Sequence, residues 1–152
     1  FLPELFVSDF DRLKRKVLET ARSIVRELLR DAEVASMDPP RAEGELRRFL
    51  DEHPYVQFAY LTNLEGKKIT HNVTQLADKG KFEKIGLHQD FSDREWFTQP
   101  VATGEGGVTD FYTSKITGAL CITVSAPISD DESNIVGVFG VDIRFEDLIR
   151  AE

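Results

Sequence analysis

Two apolar runs near the C-terminus, Leu120 to Ile128 and Ile135 to Ile143, constrain the fold of this chain more than any other feature. The first run alternates Ile, Val and Ala with Cys, Thr and Ser, which is the period of two that a β-strand requires. The second run is apolar at almost every position, which is typical of a strand at the centre of a sheet. Because only the short acidic turn from Ser129 to Asn134 joins them, we predict two antiparallel neighbouring strands.

Three further strands are predicted upstream. Tyr55 to Thr62 and Lys68 to Val73 flank the turn Asn63-Leu64-Glu65-Gly66 and form a hairpin, and Val108 to Ser114 is a third strand. The alternation predicts two faces for the first strand, with Val56, Phe58 and Tyr60 opposite Gln57, Ala59 and Leu61.

A long amphipathic helix is predicted over residues 4–36. It is about 50 Å long at the helical rise, more than a small sheet needs, so we expect it to serve in dimerisation or close to a membrane. Its apolar stripe has the helical period and consists of Phe10, Leu13, Val17, Ala21, Ile24 and Leu28.

Shorter helices complete the pattern. Asp38-Pro39-Pro40 ends the long helix, and a second helix is expected from Arg41 to Glu52. A third is expected from Asp93 to Thr103 with Ser92 or Asp93 as its cap, and a closing helix begins at Phe145. The sequence therefore predicts an α+β fold, a five-stranded antiparallel sheet with a long N-terminal helix and shorter flanking helices.

Composition excludes several classes of function. The formal net charge of −8 argues against non-specific nucleic-acid binding, which needs clustered Lys and Arg. The single Cys121 excludes an intramolecular disulfide and a Cys-based zinc site. No nucleophile motif or metal-ligand spacing is present, and the glycines at 104, 106 and 107 lack the Lys-Ser/Thr of a phosphate loop, so neither enzyme activity nor a cofactor is expected.

The chain of 152 residues is predicted to be a single domain. It starts at Phe1 without an initiator Met, and no run approaches the roughly 18 apolar residues of a membrane span. We expect a piece of a longer protein, with any membrane spans outside it.

An Arg between acidic and aromatic residues marks a candidate pocket. The planar guanidinium of Arg94 suits a carboxylate, and the alternative, a structural ion pair with a nearby Asp, is about equally favoured. Trp96 and Phe97 are expected either to wall the pocket or to fill the core.

Polar groups on the strands are expected to add to this pocket. Tyr112 and Ser114 share a strand face, and Lys115 could add a positive contact, although a Lys at a turn is more often solvated. Tyr60 and Thr62 share a face of the first strand and could line the floor.

Two polar residues on the apolar strands also belong to this set. Thr123 suits a sheet face that opens onto a polar cavity. Asp142 is the lone charge in the last strand, and a buried carboxylate needs a partner. That partner could be a ligand ammonium group, Arg94 or backbone amides.

Four segments, taken in order, resemble a known family. The chain is similar to extracytoplasmic Cache sensor domains of the single-module kind, also called PDC or PAS-like sensors. The segments are Tyr60–Lys67, Asp93–Phe97, Phe111–Lys115 leading into Ile122–Ile128, and Ile135–Ile143.

The resemblance implies a role outside the bacterial inner membrane, between two transmembrane helices that this chain lacks. Such domains bind small metabolites, often carboxylates or amino acids, and control a chemotaxis transducer, a histidine kinase or a cyclic-di-GMP enzyme. It implies a membrane-proximal helix over 1–36 that could mediate a homodimer, a sensor core over 37–145, and at 146–152 the start of a helix toward a second span.

The amino-acid-binding branch of the family has a Tyr upstream of Arg-x-Trp-Tyr and an Asp on the final strand. Arg94, Trp96 and Asp142 match this pattern, but Phe97 replaces the second Tyr and Gln89 stands at the upstream position. We therefore expect a small carboxylate as ligand. The alternatives are an amino acid or amine held by Asp142, or a ligand-free PAS-type dimerisation module.

Overall fold

The computed structural model describes residues 12, 15, 16, 18–20, 22–24, 26, 27, 37–74, 82, 84–109, 111–114 and 117–150. The helices whose bounds fall within the described residues are α1 (Pro39–Glu52), α2 (Glu95–Thr103) and α3 (Phe145–Arg150), and Phe82 is also helical. The strands are β1 (Val56–Asn63), β2 (Val73–Thr74), β3 (Gly107–Val108), β4 (Tyr112–Thr113), β5 (Leu120–Ser129) and β6 (Ile135–Arg144).

All strand pairs are antiparallel, and the sheet has the order β2-β1-β6-β5-β3, with β4 also paired to β5. The apolar strand β6 lies between β1 and β5, so its predicted central position is confirmed. The α+β class, the antiparallel sheet and an N-terminal helix are confirmed as well.

The described part of the sheet has six strands rather than the predicted five, because the strand predicted from Val108 to Ser114 is interrupted. Val108 pairs with Val124 and Tyr112 pairs with Cys121, so the outer strand has one extra residue between these pairs. Such a bulge ends regular pairing and bends the strand. The break turns Tyr112 toward the end of β5 that lies beside Asp142.

The predicted return strand from Lys68 to Val73 is also shorter than expected. Regular pairing with β1 is confined to Val73 and Thr74. Between the turn and β2, the Thr70 hydroxyl accepts a hydrogen bond from the Leu61 N–H at 3.0 Å. A side chain thus replaces the backbone partner of the Leu61 N–H at this position.

A bulge in β1 corrects the predicted faces of that strand. Val56 pairs with Ile143 and Phe58 pairs with Asp142, which leaves Gln57 as the extra residue. Val56 therefore packs in the core cluster, whereas Phe58 lines a cavity on the opposite face.

The core lies on the α1 side of the sheet. α1 packs on β1 and β2, and Ile24 of the N-terminal helix joins the same cluster. From β6 the cluster includes Phe139, Val141 and Ile143. The α1 members are Ala42, Leu46, Phe49 and Leu50.

The starts of the two longer helices differ from the prediction. α1 begins at Pro39 rather than Arg41, with Asp38 as its cap: the Asp38 carboxylate accepts from the Arg41 N–H at 3.2 Å. α2 begins at Glu95, and its N-cap is Arg94 rather than Ser92 or Asp93. No side-chain cap bond forms at Arg94.

Residues 12, 15, 16, 18–20, 22–24, 26 and 27 are all helical, in agreement with the predicted long helix, whose remaining positions lie outside the described residues. No helix within the described part of the chain is long and apolar enough to cross a membrane.

Candidate ligand-binding site

A cavity of about 540 Å³ opens on the sheet face opposite the core. Its floor is formed by β1, β5 and β6, and its walls by β4, the start of α2 and the segment before α2. This volume is typical of small-molecule sites. The lining residues are Phe58, Tyr60, Lys68, Asn72, Ile85, Gly86, Gln89, Phe91, Arg94, Glu95, Trp96, Thr109, Tyr112, Thr113, Ser114, Thr123 and Asp142.

A carboxylate stands at the centre of the floor. Oδ1 of Asp142 accepts hydrogen bonds from the hydroxyls of Tyr60 and Thr123, both at 2.8 Å. The Tyr112 hydroxyl makes a short contact with the Thr123 hydroxyl and is also a hydrogen-bond partner of Asp142. Asp142 thus receives only neutral hydroxyl donors and forms no ion pair within 4.0 Å among the described residues.

Burial favours the protonated form of the Asp142 carboxyl group. Burial raises the pKa of Asp142, while the Thr123 and Tyr60 hydroxyls and the charge of Lys68 oppose that rise. Burial and the Asp142 charge both raise the pKa of Tyr60 and of Tyr112. Both phenols therefore remain neutral donors at physiological pH.

Lys68 is the buried cation of the cavity, with 4% of its surface exposed. Its ammonium group donates to the Asn72 side-chain carbonyl and, at 2.8 Å, to the Ile85 carbonyl. It lies 4.8 Å from the centroid of the Tyr60 ring. Burial lowers its pKa to about 8, and attraction to Asp142 acts in the opposite direction.

Aromatic rings enclose the polar floor. Trp96 meets Tyr60 edge-on, with ring centroids 5.4 Å apart, and contacts Phe91 at 5.6 Å. These contacts join the start of α2 to β1 and to the segment before α2. A ligand in the cavity would thus be shielded from water on the side of these rings.

Arg94 lies at the rim, with 51% of its side chain exposed. The nearest carboxylate is that of Asp93, 3.5 Å from Nε and 85% exposed, and an ion pair so exposed contributes little to stability. The structural ion pair predicted as the alternative for Arg94 is therefore present but weak. The position of Arg94 at the N-cap of α2 leaves its guanidinium beside the cavity.

Comparison with known proteins identifies the family. Residues 43–150 match the family described as methyl-accepting chemotaxis protein-like, first PDC sensor domain. The chain belongs to this family of PDC sensor domains. The resemblance seen in the four sequence segments is thereby confirmed.

Solved sensor domains share the fold of this PDC domain. The sensor domain of the histidine kinase DctB from V. cholerae matches 98% of the chain with a TM-score of 0.71 at 16% identity. The ligand-binding domain of the Campylobacter jejuni chemoreceptor Tlp3, in complex with 4-methylisoleucine, matches 93% with a TM-score of 0.60 at 21% identity. The chain spans 58% and 54% of those structures, respectively.

A curated relative is closer in sequence. A Syntrophus aciditrophicus protein named "Citrate (Re)-synthase" is 49% identical over 150 residues, which are 99% of this chain and 24% of that protein. The chain thus spans about a quarter of the relative. The name refers to the whole relative, whereas the family of the matched segment is one of sensor domains.

The PDC fold brings most of the predicted site residues to one cavity. Thr62 and Phe97 are buried but do not line it: Thr62 pairs with Val138, beyond the cavity, and Phe97 lies one helical step from Trp96. Lys115 lies outside the described residues. The predicted residues that line the cavity are Tyr60, Arg94, Trp96, Tyr112, Ser114, Thr123 and Asp142.

Sequence reasoning missed the segment that supplies Lys68, Asn72, Ile85 and Phe91 to the cavity. A Lys at the start of a polar segment is usually solvated, so the sequence did not indicate that Lys68 lines a cavity. The sequence contains one indication of this surface: the polar residues Lys68, Thr70 and Asn72 occur at every second position. All three are buried in the structure. Polar side chains repeated in the strand period suggest a polar interior surface.

Among the described residues, one group of side chains outside the cavity has the spacing of metal ligands. Ligand atoms of Glu27, Glu52 and His53 lie within 4.8 Å of one another, and both carboxylates are exposed. His53 uses Nε2 to contact Glu27 at 2.9 Å and Nδ1 to contact the Tyr55 hydroxyl at 2.9 Å. This arrangement is sufficient to tie the N-terminal helix to the end of α1.

Proposed function

We propose that this PDC domain is the extracytoplasmic sensor of a bacterial inner-membrane receptor and binds a small carboxylate that also carries an ammonium group, as an amino acid does. The observation that carries the proposal is Asp142, a carboxylate on the cavity floor that receives hydrogen bonds from neutral hydroxyls and forms no ion pair within 4.0 Å among the described residues. A ligand ammonium group would supply the opposite charge.

Charge distribution supports a ligand with two opposite charges. Lys68 and Arg94 are the cations that line the cavity, and Asp142 and Glu95 are the anions. A carboxylate near either cation also feels the field of Asp142, and an ammonium group on the same ligand compensates for that repulsion. The aromatic rings of Tyr60, Phe91 and Trp96 suit an apolar ligand side chain. The solved Tlp3 domain, in complex with 4-methylisoleucine, belongs to the same fold.

A carboxylate without an amine is the second candidate. It is favoured by the two cations, Lys68 within the cavity and Arg94 at its rim. In that case a protonated Asp142 would face the ligand as a neutral donor, which agrees with the direction of its pKa.

Signal transfer would follow from the position of Asp142 on β6, three residues before α3 begins at Phe145. Arg144 joins this strand to α3 through two hydrogen bonds to Asp147, at 2.8 and 2.9 Å. Ligand closure of the Arg94 and Tyr112 segments would shift the sheet against α3 and the N-terminal helix, within the limit set by the difference in affinity for the two states. The output would be a chemotaxis transducer, histidine kinase or cyclic-di-GMP enzyme, with the N-terminal helix in a homodimer.

Three matched compounds test the ligand class by calorimetry. L-valine carries both charged groups, 3-methylbutanoate lacks the amine, and 2-methylpropylamine lacks the carboxylate. Binding of L-valine with at least about tenfold higher affinity than either analogue supports the amino-acid reading. Equal binding of 3-methylbutanoate supports the carboxylate reading instead. If neither these compounds nor other amino acids and small carboxylates bind, the domain is a ligand-free dimerisation module.

Two variants test which residue binds the ammonium group of the ligand and which binds its carboxylate. In Asp142→Asn the amide still offers an acceptor to Tyr60 and Thr123, so the preference for L-valine over 3-methylbutanoate is lost while the fold is retained. Arg94→Ala weakens both carboxylates. Arg48→Ala, at an exposed position of α1, is the matched control and leaves all affinities unchanged. Unaltered binding in both site variants would refute the assignment of this cavity.

A further inference from the structure

Lys68 contacts three parts of the cavity at once. Its backbone N–H donates to the Gln89 carbonyl at 3.1 Å, and its carbonyl accepts from the His88 N–H at 2.9 Å. Its ammonium group bonds Asn72 and Ile85, and it lies over the Tyr60 ring. The residue therefore connects the floor of the cavity to the segment that forms its wall.

The ammonium group has one donor left for a ligand. A Lys ammonium carries three N–H donors, and two of them are used by Asn72 and Ile85. The third has no hydrogen-bond partner among the described residues. Lys68 and Asp142 both line the cavity but do not form an ion pair within 4.0 Å. A buried cation and a buried anion thus face one space without neutralising each other directly.

We propose that Lys68 is the principal residue for binding the ligand carboxylate, with Arg94 as a weaker contact at the rim. This proposal rests on the proposed function. A charged hydrogen bond to a group that is 4% exposed is stronger than one to a side chain that is 51% exposed, because water screens the second. The ligand would then bridge Lys68 and Asp142 with its two ends.

The proposal makes ligand binding depend on pH. Burial lowers the pKa of Lys68 to about 8, so its ammonium form is lost from the free protein above that pH. The other ionisable groups that line the cavity are Asp142, Glu95, Arg94, Tyr60 and Tyr112. The pKa values of the two Tyr residues are raised, so these phenols stay neutral at this pH.

The first test measures the affinities of L-valine, 3-methylbutanoate and 2-methylpropylamine for the wild-type protein, Lys68→Met and Lys67→Met from pH 6 to 10. Lys68→Met is expected to weaken the two carboxylates by about thirtyfold or more, a larger loss than in Arg94→Ala, but not the amine. The exposed Lys67 is the neighbouring control and is expected to leave all three unchanged. A purely structural role for Lys68 would weaken the amine equally.

The ratio of wild-type to Lys68→Met affinity cancels any titration of the ligand itself. We expect this ratio to fall about tenfold for each pH unit above about 8. A flat ratio near one, with intact binding in the wild-type protein, overturns the role of Lys68 and leaves the proposed function standing.

A second test needs neither a folded variant nor the right ligand. NMR titration of the Lys68 side chain in the wild-type protein, with and without saturating acetate as the carboxylate probe, measures its pKa directly. Acetate is expected to raise the pKa of Lys68 and leave the NMR signals of the exposed Lys67 side chain in place. No rise overturns the proposal. If neither the three calorimetric probes nor other amino acids and small carboxylates bind, the proposed function fails, whereas the acetate titration tests the role of Lys68 separately.

Discussion

Gly140 allows the Tyr60 ring to lie flat on β6. A Cβ at Gly140 would lie 2.4 Å from Cε1 and 2.8 Å from Cζ of that ring. The two residues are register partners, so the ring crosses the neighbouring strand and its hydroxyl reaches Asp142, two residues further along β6. A missing side chain on one strand thus positions a hydrogen-bond donor on the next.

Gly140→Ala is therefore expected to displace the Tyr60 ring into the cavity. The new methyl group overpacks the site and breaks the bond to Asp142, which lowers the free energy of unfolding by about 1–3 kcal/mol. Urea unfolding measures this loss, and calorimetry measures the accompanying loss of ligand affinity. A crystal structure of the variant with the ring in place would contradict this account.

Gly44 is the matched control for this substitution. It lies in α1 with open space around its Cα, so the same change to Ala meets no atom within 4 Å. Gly44→Ala should raise the free energy of unfolding by up to about 1 kcal/mol, because Ala favours the helix. The two Gly→Ala changes thus have opposite signs.

The two longer helices differ in what the residue at the N-terminus contacts. α1 begins with Asp38, a good cap whose carboxylate binds the Arg41 N–H. α2 begins with Arg94, a poor cap that makes no such bond and lines the cavity instead. The residue at the start of α2 thus places a cation at the rim of the cavity and leaves the helix without a side-chain cap.

Arg94→Ser is therefore expected to stabilise the protein while it weakens ligand binding. The Ser hydroxyl can cap α2, and the free energy of unfolding should rise by about 0.5–1 kcal/mol in urea titrations. Asp38→Ala, which removes the cap of α1, should lower it by a similar amount and leave ligand affinity unchanged. A decrease in the stability of Arg94→Ser would show that the guanidinium supports the fold.

The ionisable groups of the cavity also affect the stability of the whole protein. The pKa of Lys68 falls from 10.5 to about 8 on folding, so the unfolded chain binds more protons between these values. Stability from this residue therefore rises as pH increases through that window. Burial raises the pKa of Asp142 above 3.8, and its contribution has the opposite sign: stability is lost as pH rises through the folded pKa.

Without ligand, the wild-type protein should gain up to about 3 kcal/mol over Lys68→Met between pH 8 and 10.5. Urea unfolding of both proteins across this range measures the difference in slope, and Lys67→Met should follow the wild-type curve. Parallel curves for wild type and Lys68→Met would mean that Lys68 titrates as it does in water.

Local periodicity in the sequence was enough to predict the main elements. β5, α1 and the helical segment at the N-terminus repeat apolar residues in the period of their own backbone, and that signal needs no distant partner. The lone charge of Asp142 in an apolar strand marked one side of the cavity for the same reason. The position of β6 at the centre of the sheet followed from its continuous apolar run.

The remaining features of the fold and of the cavity depend on contacts between residues that are distant in the sequence. The bulge at Gln57 moves Val56 into the core because β1 pairs with β6, more than 70 residues away in the sequence. Lys68 becomes a buried cation only because the chain around Ile85 folds back over it and supplies a carbonyl acceptor. Sequence period reports which side of its own element a residue faces, whereas burial and hydrogen bonding of a charge depend on what covers that side.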